Sequence, residues 1–457
     1  MAATLKRDRR LFLMALPIAG ILVAGSLGVY GWHQSNQLET AYQYRFEPST
    51  PGTATKILEQ EIAFYQERIR HDPEDGLNRA SLAGTYLKMA RATGDANWYL
   101  LAEQSAKRSL ANLPFDNEGA IIVLARIAEA KHDFPEAIRL SQQILNVEPG
   151  NEEALSIQIT SNLATGKLDE ANRQANLLVE QIPSIGTLTL RALVRVAQGQ
   201  DAAAIADFQQ ALAEEEPGEA GSSAWTRTLL GRFYFQRGNH TLAKKLYQEV
   251  LRIIPRYPLA LINLAALETR QGDYRAAERY YSQVFVSPNY MNVFDHIALQ
   301  GQARVKQLQG DTSEAEKLWK NAETLLRQHQ SLNSFGHQRE LARLLLERGH
   351  SKDLPEALTL MQAEVRLRRD AETLDTMAWV FSRLERWSEA QKVLQEAIAR
   401  GTRDAGIFYR AGIVEQALGN RPQATAYFQL AQETDPTFDK KAQQVLGLDS
   451  NPETEVK

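Results

Sequence analysis

Along most of this chain apolar residues return every three or four positions, in segments of about 12–15 residues. Gly-Asp, Gly-Asn or Pro separates one segment from the next, and few stretches alternate with period two. The pattern predicts a body made wholly of helices. Two stretches depart from it. Residues 33–53 are polar and broken by Pro48, Pro51 and Gly52, which predicts a linker. Before them, Leu11 to Trp32 carries no charge at all and reads LFLMALPIAGILVAGSLGVYGW.

At about 1.5 Å per helical residue this uncharged stretch reaches roughly 33 Å, enough for a hydrocarbon core of about 30 Å. Tyr30 and Trp32 fall at its outer end, where interfacial aromatics belong. Lys6, Arg7, Arg9 and Arg10 precede the stretch, and Arg45 is the first cation of its kind after it. The positive-inside rule then keeps residues 1–10 in the cytoplasm and sends the body across the membrane. A cleaved signal peptide is the rival reading, because Ala24-Gly25-Ser26 offers small residues for a cut. Its apolar region would exceed the usual length of about 7–15 residues. Both readings export the body; the uncleaved anchor, a single-pass inner-membrane protein, is the one adopted.

The helical segments repeat. In block 405–438, Gly412, Ala424, Phe428, Ala431 and Pro436 stand at positions 8, 20, 24, 27 and 32. In block 371–404, Ala378, Phe381, Ala390, Leu394 and Ala397 stand at 8, 11, 20, 24 and 27. Residues 224–257 supply Leu230-Gly231, Tyr234, Ala243, Tyr247 and Pro255, and 258–290 supply Leu264-Ala265, Ala277 and Tyr281. This spacing resembles the tetratricopeptide repeat, W-x2-L-G-x2-Y…A-x3-F…P over 34 residues. Small residues at 8 and 20 let two helices approach, aromatics fill the gaps, and proline ends the second helix.

Looser units extend the resemblance over about 54–448: Leu82-Ala83 with Tyr86 and Pro114, Leu124-Ala125 with Ala137 and Pro149, Ala171 with Pro183, Ala204 with Phe208, Ala315 with Trp319, and Ala357 with Met361. About seven extra residues around Thr93–Tyr99 are expected to lengthen the internal loop of the first unit. Residues 54–70 read as a lone leading helix, Lys440–Leu448 as a capping helix, and 449–457 as a disordered tail. The resemblance implies an all-α fold, a right-handed α-solenoid of about ten hairpins behind one transmembrane helix. The acidic, Pro- and Gly-containing segment Glu214–Gly221 divides it into sub-arrays 54–217 and 218–448. That segment is either a hinge or a long loop within one continuous stack.

Charge narrows the partners. The formal net charge is −4, and without residues 1–32 it becomes −7, from 48 cations against 55 anions. An acidic body speaks against nucleic acid. Cysteine is absent, which excludes disulfides, thiolate metal sites, a cysteine nucleophile and a lipidated N-terminal cysteine.

No phosphate-binding loop, nucleophile elbow or H-E-x-x-H is present. The eight histidines are scattered; His329, His337 and His350 form the only loose group. Asp370, Glu372 and Asp375 open a predicted helix, where Asp370 caps it and all three suit its dipole. The expectation is a binding protein without cofactor, metal or small-molecule substrate, and not an enzyme.

In the family it resembles, the first helix of each hairpin lines the concave face through block positions 2, 5, 6, 9, 12 and 13. Here these are Arg126, Trp225, Arg232, Asn263, Arg304, Arg339, Arg343, Asp375, Trp379, Tyr409 and Arg410. Asn263 matches the family's groove asparagine. Arginine and aromatics are hot-spot residues, and arginine grips carboxylates bidentately, so the groove is expected to take an extended or helical acidic protein segment. The alternative for each arginine is a glutamate on a neighbouring helix. At the level of function, a membrane-tethered assembly scaffold stands beside a structural subunit of a membrane enzyme or secretion machine that works through its convex face.

Overall fold

A computed structural model describes residues 38–50, 52–285, 292–331 and 337–448. The expected membrane segment 11–32 and the tail 449–457 lie outside the described residues. Among the described residues no helix is long and apolar enough to cross a membrane. The chain divides into two compact units, Met1–Gln43 and Tyr44–Lys457. In the first, a 3-10 turn spans Thr40–Tyr42, and the Gln43 amide donates to the Leu38 carbonyl at 2.6 Å.

Within the second unit the described residues form 22 α-helices. A leading helix, α1 (Thr53–His71), precedes ten antiparallel hairpins. These are α2 (Gly76–Thr93) with α3 (Asn97–Asn112), α4 (Glu118–Ala130) with α5 (Phe134–Leu145), and α6 (Glu152–Ala164) with α7 (Leu168–Gln181). Next come α8 (Ile185–Ala197) with α9 (Asp201–Ala213), α10 (Ala220–Gln236) with α11 (His240–Ile253), and α12 (Pro258–Gln271) with α13 (Tyr274–Ser282). The last four are α14 (Asp295–Leu308) with α15 (Thr312–Ser331), α16 (Gln338–Arg348) with α17 (Leu354–Leu367), α18 (Ala371–Arg383) with α19 (Trp387–Ala399), and α20 (Ala405–Ala417) with α21 (Arg421–Thr434). A short α22 (Lys440–Val445) ends the stack.

The repeat positions explain the packing. Ala125, Ala137, Ala243, Ala265, Ala277, Ala378 and Ala390 are wholly buried at the helix crossings. At Gly231 a Cβ would stand 2.5 Å from the Tyr247 ring, so the aromatic at position 24 fills the space that the glycine at position 8 leaves. Helix starts are written in the turn residues. Asp133, Asn239 and Asp273 cap second helices, and Asp75, Asn151, Asp370 and Asp404 cap first helices.

One length expectation is corrected. The extra residues near Thr93–Tyr99 lengthen the helices, not the loop: α2 has 18 residues and α3 has 16, joined by Gly94–Ala96. The added stretch, Lys88-Met89-Ala90-Arg91, favours helix and buries Met89 and Ala90, so there is no reason for it to unwind.

Two segments near the middle are held firmly. Glu215, between α9 and α10, is buried and pairs with Arg227, whose guanidinium is fully enclosed; one of the two hydrogen bonds measures 3.1 Å. Residues 44–49, part of the expected linker 33–53, lie across the ends of α9 and α11. The Tyr44 N–H donates to Glu249 at 2.7 Å, Arg45 to the Ala213 carbonyl at 2.9 Å, and the Ser49 N–H to the Ile253 carbonyl at 2.9 Å.

Candidate binding lumen

In the second unit, the bend inside each early hairpin touches the entry to the hairpin six further on. Gly94 accepts the Val293 N–H at 2.9 Å before α14, and Asp95 forms a β-bridge with Asn292. His132 meets the His337 ring, with centroids 6.3 Å apart, before α16. The Ala164 carbonyl accepts the Arg369 N–H at 2.8 Å before α18. Asp201 pairs with Arg403 at 3.1 Å before α20, where Gly199 and Gly401 lie back to back. His240 lies 3.4 Å from the Thr437 hydroxyl, and Arg270 pairs with Asp439 at 2.7 Å beside α22. Each partner is about 170–205 positions away, so six hairpins complete one turn of the stack and successive turns touch.

Closure of the seam encloses the first helices. Two cavities result, of 370 and 300 Å³, the lower end of the range for ligand pockets. They share Arg232, Gln236, Glu372, Asp404 and Ile407. The larger is walled mainly by α6, α8 and α10 with the entries to α18 and α20. The smaller is lined by Arg232, Asn263, Arg304, Arg343, Asp375, Trp379 and Arg410, and is stopped at one end by Phe438, Leu446 and Leu448 around α22.

Seven of the eleven residues singled out by position therefore line one cavity. The remaining four stand elsewhere. Arg126 pairs with Glu129 within α4 at 2.9 Å. Trp225 packs on the Leu155, Leu190 and Val194 cluster. Arg339 is buried among Glu340, Asp370 and Glu372 at 2.9, 3.4 and 3.4 Å. Tyr409 lies between Phe428 and Phe438, with ring centroids 4.9 and 5.4 Å away.

Most of the lining arginines are already matched. Arg232 of α10 pairs with Glu372 of α18, Arg304 with Glu347 at 2.6 Å, and Arg410 with Asp375 at 2.7 Å while lying 4.9 Å over the Trp379 ring. Asn263 donates to the Leu259 carbonyl at 2.7 Å. Arg343 lines the cavity and makes no ion pair with a described residue. The Arg232 guanidinium holds Glu372 down at about 2, against the opposing effect of burial. Burial pushes Asp404 up, and the charges of Asp375 and Glu372 add to it.

Sequence positions did not reveal Arg270, Glu347, Glu372 and Asp404 as lining groups. Glu372 and Asp404 sit at helix starts, where a cap or dipole role already accounts for an acid; the ion-pair partner of Glu372 across the lumen, Arg232, comes from another turn. Sequence also left the histidines scattered, yet His132, His296 and His337 gather at the seam, with the last two centroids 4.9 Å apart. Among the described residues no group of His, Asp and Glu is arranged to hold a metal ion.

Family models described as tetratricopeptide repeat match residues 222–285 and 376–437, which span hairpins 5 and 6 and hairpins 9 and 10. The chain is similar to cellulose synthase operon protein C of Pseudomonas fluorescens, 28% identical over 169 residues, 35% of this chain and 13% of that protein. It is also similar to uncharacterized protein ycf37 of Pyropia yezoensis, 39% identical over 56 residues, 12% of this chain and 32% of that protein. The chain thus spans less than a third of either relative. Among solved structures, human IFIT1 with PPP-AAAA is 15% identical with a TM-score of 0.44, covering 82% of this chain and 86% of its own. A tetratricopeptide repeat protein from Parabacteroides merdae is 16% identical with a TM-score of 0.33, covering 69% and 98%.

Proposed function

We propose that this chain is a membrane-tethered scaffold whose tetratricopeptide hairpins hold a segment of another protein, assisting assembly of an envelope or membrane complex. It acts by binding and not by catalysis. Residues 11–32 anchor it, residues 1–10 stay in the cytoplasm, and the hairpins work on the far side of the membrane. The observation that carries the binding role is the convergence of Arg232, Asn263, Arg304, Arg343, Asp375, Trp379 and Arg410 on one cavity. Arg343 is the recognition group, because it makes no ion pair with a described residue and its guanidinium suits a carboxylate of the bound segment. The similarity to a protein named for a cellulose synthase operon supports seeking the partner among the products of such an operon.

The test is a crosslinked pull-down from native membranes with the intact chain and with Arg343→Glu. Arg339 is left alone, since it is buried among three carboxylates and reversing it would damage the fold. A discrete partner lost in the variant supports the lumen. A partner list that does not change sinks it and favours binding through the convex face, a reading supported by the internal pairing of Arg126, Arg232, Arg304, Arg339 and Arg410. Orientation is tested separately: protease added to intact spheroplasts digests the hairpins if they lie outside the cytoplasm, and full protection overturns that placement.

A further inference from the structure

We propose that the groove between α1, α2 and α4 is a second docking site, one that takes a basic, amphipathic helical segment of another protein. It is independent of the lumen and has the opposite chemistry.

The groove depends on a helix outside the repeat pattern. α1 buries Ile62 and packs Leu58, Tyr65 and Ile69 against the first hairpin. That leaves a second apolar pair, Ile57 and Phe64, turned to the groove and 50% and 56% exposed. Leu77 of α2 faces them and is 60% exposed. The floor is cut from small residues, Ala80, Gly84 and Gly119, and the cavity measures 940 Å³, about three times the closed one. A Cβ at Gly84 would meet no atom within 4 Å, so the space above it is open.

Spacing points to a helix as the occupant. Ile57 and Phe64 stand seven residues apart on α1, as Leu77 and Gly84 do on α2, which is about 10.5 Å along a helix axis. Apolar side chains at i, i+3, i+4 and i+7 of a docking helix present the same interval. The small floor lets its backbone come close.

Charge decides which helix. Glu61, Asp116, Glu118 and Glu153 line the groove against a single cation, Lys88. None of the five makes an ion pair with a described residue, whereas the arginines of the lumen are largely neutralised by their own chain. Carboxylates that lack an ion-pair partner among the described residues, set around an apolar trough, complement lysine or arginine flanking an apolar stripe, and repel an acidic segment.

The experiment uses the full chain in phosphatidylcholine nanodiscs, with empty nanodiscs subtracted. Two synthetic peptides share one leucine face at i, i+3, i+4 and i+7 and carry either lysine or glutamate elsewhere. The lysine peptide is expected to bind at least ten times more tightly, with an affinity that falls as salt rises. Gly84→Leu fills the trough and Phe64→Glu spoils its wall; each is expected to weaken binding at least tenfold without lowering the thermal midpoint. Arg343→Glu leaves this binding unchanged, which separates the site from the lumen. Equal binding of the two peptides, or full binding by both groove variants, overturns the proposal. So does a rise in affinity on deleting residues 1–10, which would give the groove to the chain's own basic terminus. Self-association abolished by Gly84→Leu would give it to a second copy.

Discussion

Arg232 and Glu372 stand 140 positions apart and form an ion pair across the lumen, at the boundary shared by its two cavities. Their side chains are 48% and 40% exposed, so the pair is open to solvent inside the cavities although protein surrounds it. It joins hairpin 5 to hairpin 9, two elements that the sequence order would keep apart.

The pair makes stability depend on pH in a defined window. Glu372 is an acid held at about 2 in the folded chain, below its ordinary 4.5. Its contribution is therefore fully present above pH 4.5 and is lost as pH falls toward 2. Asp404, raised by burial, acts in the opposite sense, since acidification relieves a carboxylate that is costly to keep charged. Thermal unfolding followed across this range should decline more steeply for the intact chain than for Glu372→Gln. Equal slopes would show that the pair contributes nothing, and exposure limits its worth to about 1 kcal/mol.

Gly401 tests the seam. Its φ is +90°, and a Cβ there would stand 2.6 Å from the Gln198 carbonyl. Gly401→Val should cost about 1–3 kcal/mol from backbone strain and add the loss of seam contact. Gly310→Val is the control, with φ +83° and nothing within 4 Å. Denaturant titration should show the larger loss at Gly401, with helical circular dichroism retained in both. Equal losses would mean that the seam carries no stability.

Glu215→Ala leaves a fully enclosed guanidinium at Arg227 without its carboxylate. Breaking such a pair typically costs about 3–5 kcal/mol. The double variant Glu215→Leu with Arg227→Met removes both charges and should recover much of the loss. Urea midpoints of the three variants check this; a mild single effect would show that water reaches the pair.

Gly231→Val overpacks the crossing of α10 and α11 against Tyr247, for about 1–3 kcal/mol. Combining it with Tyr247→Leu should relieve the clash, so the double variant should lose less than the sum of the two single losses. Additive losses would separate the two positions.

The hairpins were legible because their determinants are local. Gly231 and Tyr247, or Gly412 and Phe428, meet through a spacing that any window of 34 residues displays. The lumen was half legible. Position within the first helix placed Arg304, Arg343 and Arg410 on the lining, but Glu372 and Arg403 meet partners from another turn, and no local pattern records how many hairpins complete one. Gly199, Gly238 and Gly272 read as ordinary turn signals, and nothing near them reveals what packs against them. Tyr409 fell to the core because the stack ends there: its neighbour is the loop carrying Phe438, not another hairpin. The groove at α1 was half legible too: Leu77, Ala80 and Gly84 stand at positions 2, 5 and 9 of the first unit, but Ile57 and Phe64 belong to no repeat.

In an open repeat array each unit meets only its neighbours, so units can be gained or lost with little effect elsewhere. The seam removes that freedom. Deleting one hairpin from the middle would set Gly199 opposite something other than Gly401, and would unmatch Asp201 from Arg403 and Arg270 from Asp439 in the same step. Repeat number in this chain is thereby fixed like the thread count of a screw, and its lineage should tolerate substitution far better than duplication.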